Sequence, residues 1–212
     1  MNNLNKMLKS YFFYVLCALG TSLTIKASIG ISSYNAMNLS IAKAFDIKVG
    51  TITTVLNILF LVGYMILSNF KHKKKYIIQT LSVFMFGFFI NFFVYNLLSN
   101  LNITNYLLNV LVFTMGTVIG GLSVGVIISY NVITFPLESF CIAISEKTNF
   151  SFLQLRYSVD VFSVIISIIV SYLYNLPYYI REGTIISLFI LSAAMNFGKN
   201  MHARYLKSKK VS

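Results

Sequence analysis

The stretch VGTITTVLNILFLVGYMILSNF (49–70), followed by KHKKK (71–75) and YIIQTLSVFMFGFFINFFVYNLL (76–98), decides the fold. Two apolar blocks of 22 and 23 residues flank a basic turn. Each block reaches the roughly 20 residues that a helix needs to cross about 30 Å of hydrocarbon. Ile, Leu, Phe and Val run consecutively, whereas a transmembrane strand alternates in polarity over about ten residues. A lysine-rich turn between two such blocks is what a helical hairpin leaves on the side of the membrane that retains positive charge.

The rest of the chain follows the same plan. Of its 212 residues 57% are hydrophobic and only 10% charged, with a mean hydropathy of +0.77, too apolar for a water-soluble globule. Further spans are read at 11–29, 106–132, 153–174 and 183–198, giving an all-α polytopic membrane bundle of six transmembrane helices. It forms one membrane domain, 1–212, ending in a basic tail at 202–212. The last span is short, about 24 Å of helix. Segments 32–45 and 135–148 look helical but are too short and polar to cross, so they lie at the interface or re-enter halfway. Pro136 and Pro177 fall outside the spans.

Charge placement sets the orientation. With the N-terminus cytoplasmic, twelve basic residues fall inside: Lys6, Lys9, Lys71, Lys73, Lys74, Lys75, Lys147, Lys199, Arg204, Lys207, Lys209 and Lys210. Lys26, Lys43, Lys48 and Arg181 fall outside, so both termini are expected inside a cytoplasmic membrane. The formal charge of +12 is explained by these flanks and no nucleic-acid partner is expected. Lys6 and Lys9 before an apolar run imitate a signal peptide, with a poor cleavage site at 18–20. Cys17 and Cys141 lack metal or disulfide spacing and read as packing residues. His72 and His202 sit in basic surroundings and are given no catalytic role.

Shifting the chain by 103 positions aligns its halves without a gap. Small residues fill the first span of each half, Ala18, Gly20 and Ser22 against Gly121, Ser123 and Gly125. Ser33 then meets Pro136, Asn35 meets Glu138, Thr53 meets Arg156, and Asn57 meets Asp160. Each half, 11–98 and 114–201, has three crossings, so two homologous halves insert in opposite orientations. An inverted 3+3 repeat is expected, an architecture that secondary transporters use.

No nucleotide-binding glycine loop, zinc-ligand cluster or nucleophile elbow occurs, so neither an enzyme nor a cofactor is expected. Ionisable residues inside apolar segments carry the chemistry, because each costs about 2.5–3.5 kcal/mol at a span centre. Arg156 and Asp160 are spaced i,i+4 and pair on one helix face. Glu138 follows Pro136 near the start of the second short helix, where exposed N–H groups favour a carboxylate. In a structural role Glu138 caps its helix and Arg156 reaches the interface holding Asp160. In a functional role Glu138, Arg156 and Asp160 face Asn35, Thr53 and Asn57 across the pseudo-axis and hold a small solute or coupling ion.

The stretches 18–20, 25–36 (IKASIGISSYNA) and 49–51 resemble the N-terminal half of the bacterial YczE/YyaS/YitT membrane protein family. PLESF (136–140), SEKT (145–148), Arg156 with Asp160, and EGTIIS (182–187) continue the likeness. Members often show Gly-x-Ser-Pro-Trp-Asp where this chain has Gly30-Ile31-Ser32-Ser33-Tyr34-Asn35, with an amide for the carboxylate. The resemblance implies a bacterial cytoplasmic membrane location and names no substrate. The function expected is alternating-access transport of an unknown small solute or ion. The alternatives are a non-transporting accessory or scaffold factor and the substrate-binding subunit of a multi-component importer. The lipid bilayer is the one certain partner; a homo-oligomer or a membrane partner is left open.

Overall fold

The computed structural model describes residues 3–130 and 132–211, with side chains described from 5 to 130 and from 132 to 204. Every regular element among them is helical. In chain order these are α1 (Asn3–Ala27), α2 (Ser33–Ala44), α3 (Val49–Leu67) and α4 (Lys73–Phe92), which a π-helical turn at Phe93–Leu97 prolongs. Then come α5 (Tyr106–Tyr130), α6 (Pro136–Ser145), α7 (Phe152–Leu173) and α8 (Glu182–Val211).

Local chemistry sets several ends. Helix α1 stops at Ala27 because Ser28 turns to φ 54° and Gly30 to φ 109°, a value that a side chain rarely adopts. Pro136 opens α6 at its first position, where a missing N–H costs nothing. Ser151 and Gln154 form a reciprocal capping box at the start of α7: the Gln154 N–H donates to Ser151 Oγ and the Ser151 N–H to Gln154 Oε1.

Packing fixes the directions. Helices α1 and α4 run parallel, Tyr14 against Phe86 at one end and the Lys26 ammonium donating to Ser99 O at the other. Helix α5 runs antiparallel to α1: Gly20 meets Gly116 and Gly120, and a methyl added there would lie 2.6 Å from Gly116 O. Such glycines let two backbones touch, which gives packing energy in lipid that a hydrophobic effect cannot supply. Helices α3 and α4 form an antiparallel hairpin, closed by the Gly50 N–H donating to Asn91 Oδ1 and by Tyr64 against Tyr76.

Among the described residues five helices are both long and apolar enough to span: α1, α3, α4 with its π turn, α5 and α7. The sixth expected span, α8, is less apolar, its apolar run bracketed by Glu182 and Lys199. It nevertheless runs parallel to α5 along its length, Tyr106 beside Glu182, Gly121 beside Ala194 and Ser129 beside His202. Helix α8 also continues through the segment read as a tail; the side chains of Lys207, Lys209 and Lys210 lie outside the described residues. The start of α1, the end of α8, the 71–75 turn and the α6–α7 turn share one end of the bundle, the basic end.

The two short helices do not cross. Near the middle of α3, the Phe60 ring contacts Tyr34 of α2 on one side and Phe140 of α6 on the other. Helix α2 then rises to the far end, where Phe45 meets Tyr174 of α7. Helix α6 descends to the basic end, with Ala143 against Leu61 and Tyr64 of α3. Thus α2 packs on α7 and α6 on α3. Helices α7 and α8 pack together too little to close the array.

Candidate functional site

Helix α7 presents one polar stripe to the protein: Arg156, Asp160, Ser163, Ser167 and Ser171, spaced four, three, four and four residues apart. The three serines are each 1% exposed, whereas the opposite face carries exposed Val161, Phe162, Ile165 and Ile169. Ser163 Oγ donates to Val159 O and Ser171 Oγ to Pro177 O, while Ser167 Oγ is buried with no hydrogen bond.

The basic half of this stripe meets Glu138. Arg156 Nη1 lies 2.8 Å from Asp160 Oδ1 on its own helix, and Arg156 Nε lies 4.0 Å from Glu138 Oε1 on α6. The ion pair with Asp160 gives Nη1 no well-directed hydrogen bond, and Glu138 Oε2 is buried without one. Glu138 is the third residue of α6, so the N-terminal N–H groups and the guanidinium both place positive charge around its carboxylate. Tyr14 and Cys17 of α1 and Tyr34 of α2 lie within its electrostatic reach.

The polar residues of the first half are arranged differently from expectation. Thr53 is 2% exposed and donates to Val49 O. Asn57 Nδ2 donates to Thr53 O, so it closes on its own helix. Asn35 is half-buried and forms no hydrogen bond or ion pair among the described residues. Asn38, three residues on, takes the inner position: it is fully buried and its Nδ2 donates to Thr53 Oγ1. The Tyr14 hydroxyl is likewise buried without a partner, whereas the Tyr34 hydroxyl interacts with the Asn38 side chain. Asn38, Tyr14 and Tyr34 escape sequence reading because a polar residue on an apolar helix gives no sign of which way it faces. The serine stripe escapes it too, although its spacing of three and four residues on from Asp160 is a signal that could have found it.

Among the described residues no group of three or more His, Cys, Asp and Glu is placed to hold a metal. Cys17 and Cys141 are buried free thiols.

Long apolar helices around a cluster of ionisable and hydroxyl groups define a polytopic helical membrane protein. The chain belongs to the family of unknown function DUF6198, whose model matches residues 4–200. It is similar to the uncharacterized membrane protein YczE of Bacillus subtilis (strain 168), 30% identical over 147 residues, or 69% of this chain and 66% of that one. It is also similar to the uncharacterized protein YyaS of the same organism, 22% identical over 163 residues, 75% of this chain and 80% of that one. No solved structure matches.

Proposed function

We propose that the protein is a secondary transporter of a small solute or ion, with its binding or coupling site at Glu138, Arg156 and Asp160. The observation that carries this reading is the set of buried polar atoms without a hydrogen bond at Glu138, its own Oε2 and the Tyr14 hydroxyl, beside an Arg156 guanidinium shared between two carboxylates. Each unmet buried group costs about 1–3 kcal/mol, so such a cluster is kept where a ligand, water or proton completes it. One guanidinium against two carboxylates leaves an excess negative charge, which the starts of α2 and α6 offset and a bound cation or proton neutralises. The chain needs no enzymatic chemistry in this reading.

Support for alternating access comes from the exchange of short helices between halves, α2 on α7 and α6 on α3, each starting near mid-depth. That is the relation an inverted repeat of 11–98 and 114–201 requires, with the site at the repeat interface. A 180° rotation about an axis in the membrane plane should superpose the two sets of helices; a better parallel superposition would end the repeat reading. The open flank between α7 and α8 favours one alternative, a membrane accessory or importer subunit that completes itself against a partner.

The decisive experiment screens small solutes for thermal stabilisation of the purified protein, then repeats any hit on Glu138→Gln. Ligand binding to the folded state raises Tm by mass action. Proteoliposomes should accumulate the stabilising solute, and Glu138→Gln should abolish or change the pH dependence of uptake. Stabilisation indifferent to Glu138, or binding with no uptake, would reject the transporter reading at this site.

A further inference from the structure

At the basic end, a cleft of about 240 Å³ opens between the α3–α4 turn and α6. Its walls include Tyr64, Ser68, Lys75, Ser139, Glu146 and Lys147, with His72 at the turn. Lys75 is drawn inward rather than released to solvent: its ammonium donates to Tyr64 Oη at 3.2 Å and stands 4.8 Å from the centre of that ring. A cation over a tyrosine face is attracted by the quadrupole of the ring. The turn is braced as well, since Tyr76 Oη hydrogen-bonds Ser68 Oγ at 2.7 Å and accepts from the His72 N–H at 3.0 Å. At the inner wall Ser139 is held by Gln79 and Thr134.

The charge balance of this cleft is incomplete. Glu146 is its acidic side chain, yet neither Lys75 nor Lys147 makes an ion pair with any carboxylate among the described residues. Two lysines, the ammonium of one fixed by a ring, line a common space beside Ser68 and Ser139. Exposed Lys71, Lys73 and Lys74 add to the field on the same turn. From this arrangement we infer a binding site for a phosphate group, with Lys75 and Lys147 as its charged donors. Compact ammonium groups serve phosphate as point charges, and basic pockets between transmembrane helices take phospholipid head groups in this way. The phosphate belongs to an anionic lipid or to a soluble phosphate compound, and the two sources separate experimentally.

The test measures Tm of the full-length protein against inorganic phosphate in detergent, and in phosphatidylcholine nanodiscs with and without phosphatidylglycerol. Stabilisation by phosphatidylglycerol alone identifies a lipid head group; stabilisation by inorganic phosphate identifies a soluble ligand. In either case Lys75→Gln or Lys147→Gln should raise the concentration for half-maximal stabilisation at least about ten-fold, the worth of one charged hydrogen bond. Lys73→Gln, with the same charge change outside the cleft, should leave it unchanged. If Lys75→Gln does not fold, exposed Lys147 carries the test. No stabilisation by either probe, or equal weakening by Lys73→Gln, would overturn the site.

Discussion

Arg156 of α7 stands 4.0 Å from Glu138 of α6 while its far nitrogen closes on Asp160 at 2.8 Å. One guanidinium thus serves two carboxylates on different helices and holds the short helix α6 to a span of the bundle. Their side chains keep 25–37% of their surface accessible, so breaking the cluster costs less than the about 3–5 kcal/mol of a fully buried pair. Arg156→Met and Asp160→Leu should each lower the yield of folded protein, and the double substitution should restore it, because no charge is left alone. If the cluster binds or couples a solute, the restored protein is inactive in proteoliposomes. A folded and fully active double variant would reduce the cluster to scaffold.

Glycines that look alike in sequence should separate sharply on substitution. A Cβ on Gly20 runs into the α5 backbone, whereas a Cβ on Gly120 meets nothing within 4 Å although Gly120 is buried. Gly20→Val should therefore destabilise by about 1–3 kcal/mol or more through overpacking. Gly120→Val should fold with Tm within a few degrees of wild type. If the open space beside Gly120 belongs to the transport path, uptake falls in this variant while folding stays intact. Size-exclusion yield, Tm and uptake measured together distinguish the two glycines.

Membrane orientation is checked by labelling. Cysteines placed in 71–75 should be shielded from impermeant reagents in intact cells, and cysteines near Asn102 and Pro177 should react. The native thiols do not confuse the assay, since Cys17 and Cys141 are buried. Labelling of 71–75 from outside would invert the topology.

His202, beyond the span of α8, gives the bundle a pH dependence. Burial pushes its imidazole below the ordinary range, nearby Lys9 adds to the effect, and Ser129 Oγ lies 2.6 Å from Nδ1. The unfolded chain therefore takes up the proton more readily than the folded one. The stabilising contribution is whole above the ordinary imidazole value of about 6.5 and is lost as pH falls from there through the folded value. Between pH 7.5 and pH 5, Tm of wild type should fall more than Tm of His202→Gln. Parallel curves would assign the acid sensitivity to other groups.

The sequence by itself determined that the chain lives in a membrane, which runs of it form the long helices, and that two short helices interrupt the pattern, although α1 starts at Asn3 rather than 11 and α8 runs on to Val211 rather than stopping at 198. Those features follow from run length, proline and cap residues, all local properties of the chain. It also brought Arg156 and Asp160 together, because an i,i+4 spacing is a contact wherever a helix forms. The tertiary structure alone decided that α2 packs on α7 and α6 on α3, that Glu138 faces Arg156, and that Asn38 rather than Asn35 turns inward. It alone drew Lys75 over Tyr64 and left Gly120 facing open space. These depend on how one helix is rotated against another, and apart from α7 with its polar stripe the apolar helices have no amphipathic stripe strong enough to fix that rotation. Backbone contact at glycines and a few hydrogen bonds set it instead, and their partners lie far apart in the chain.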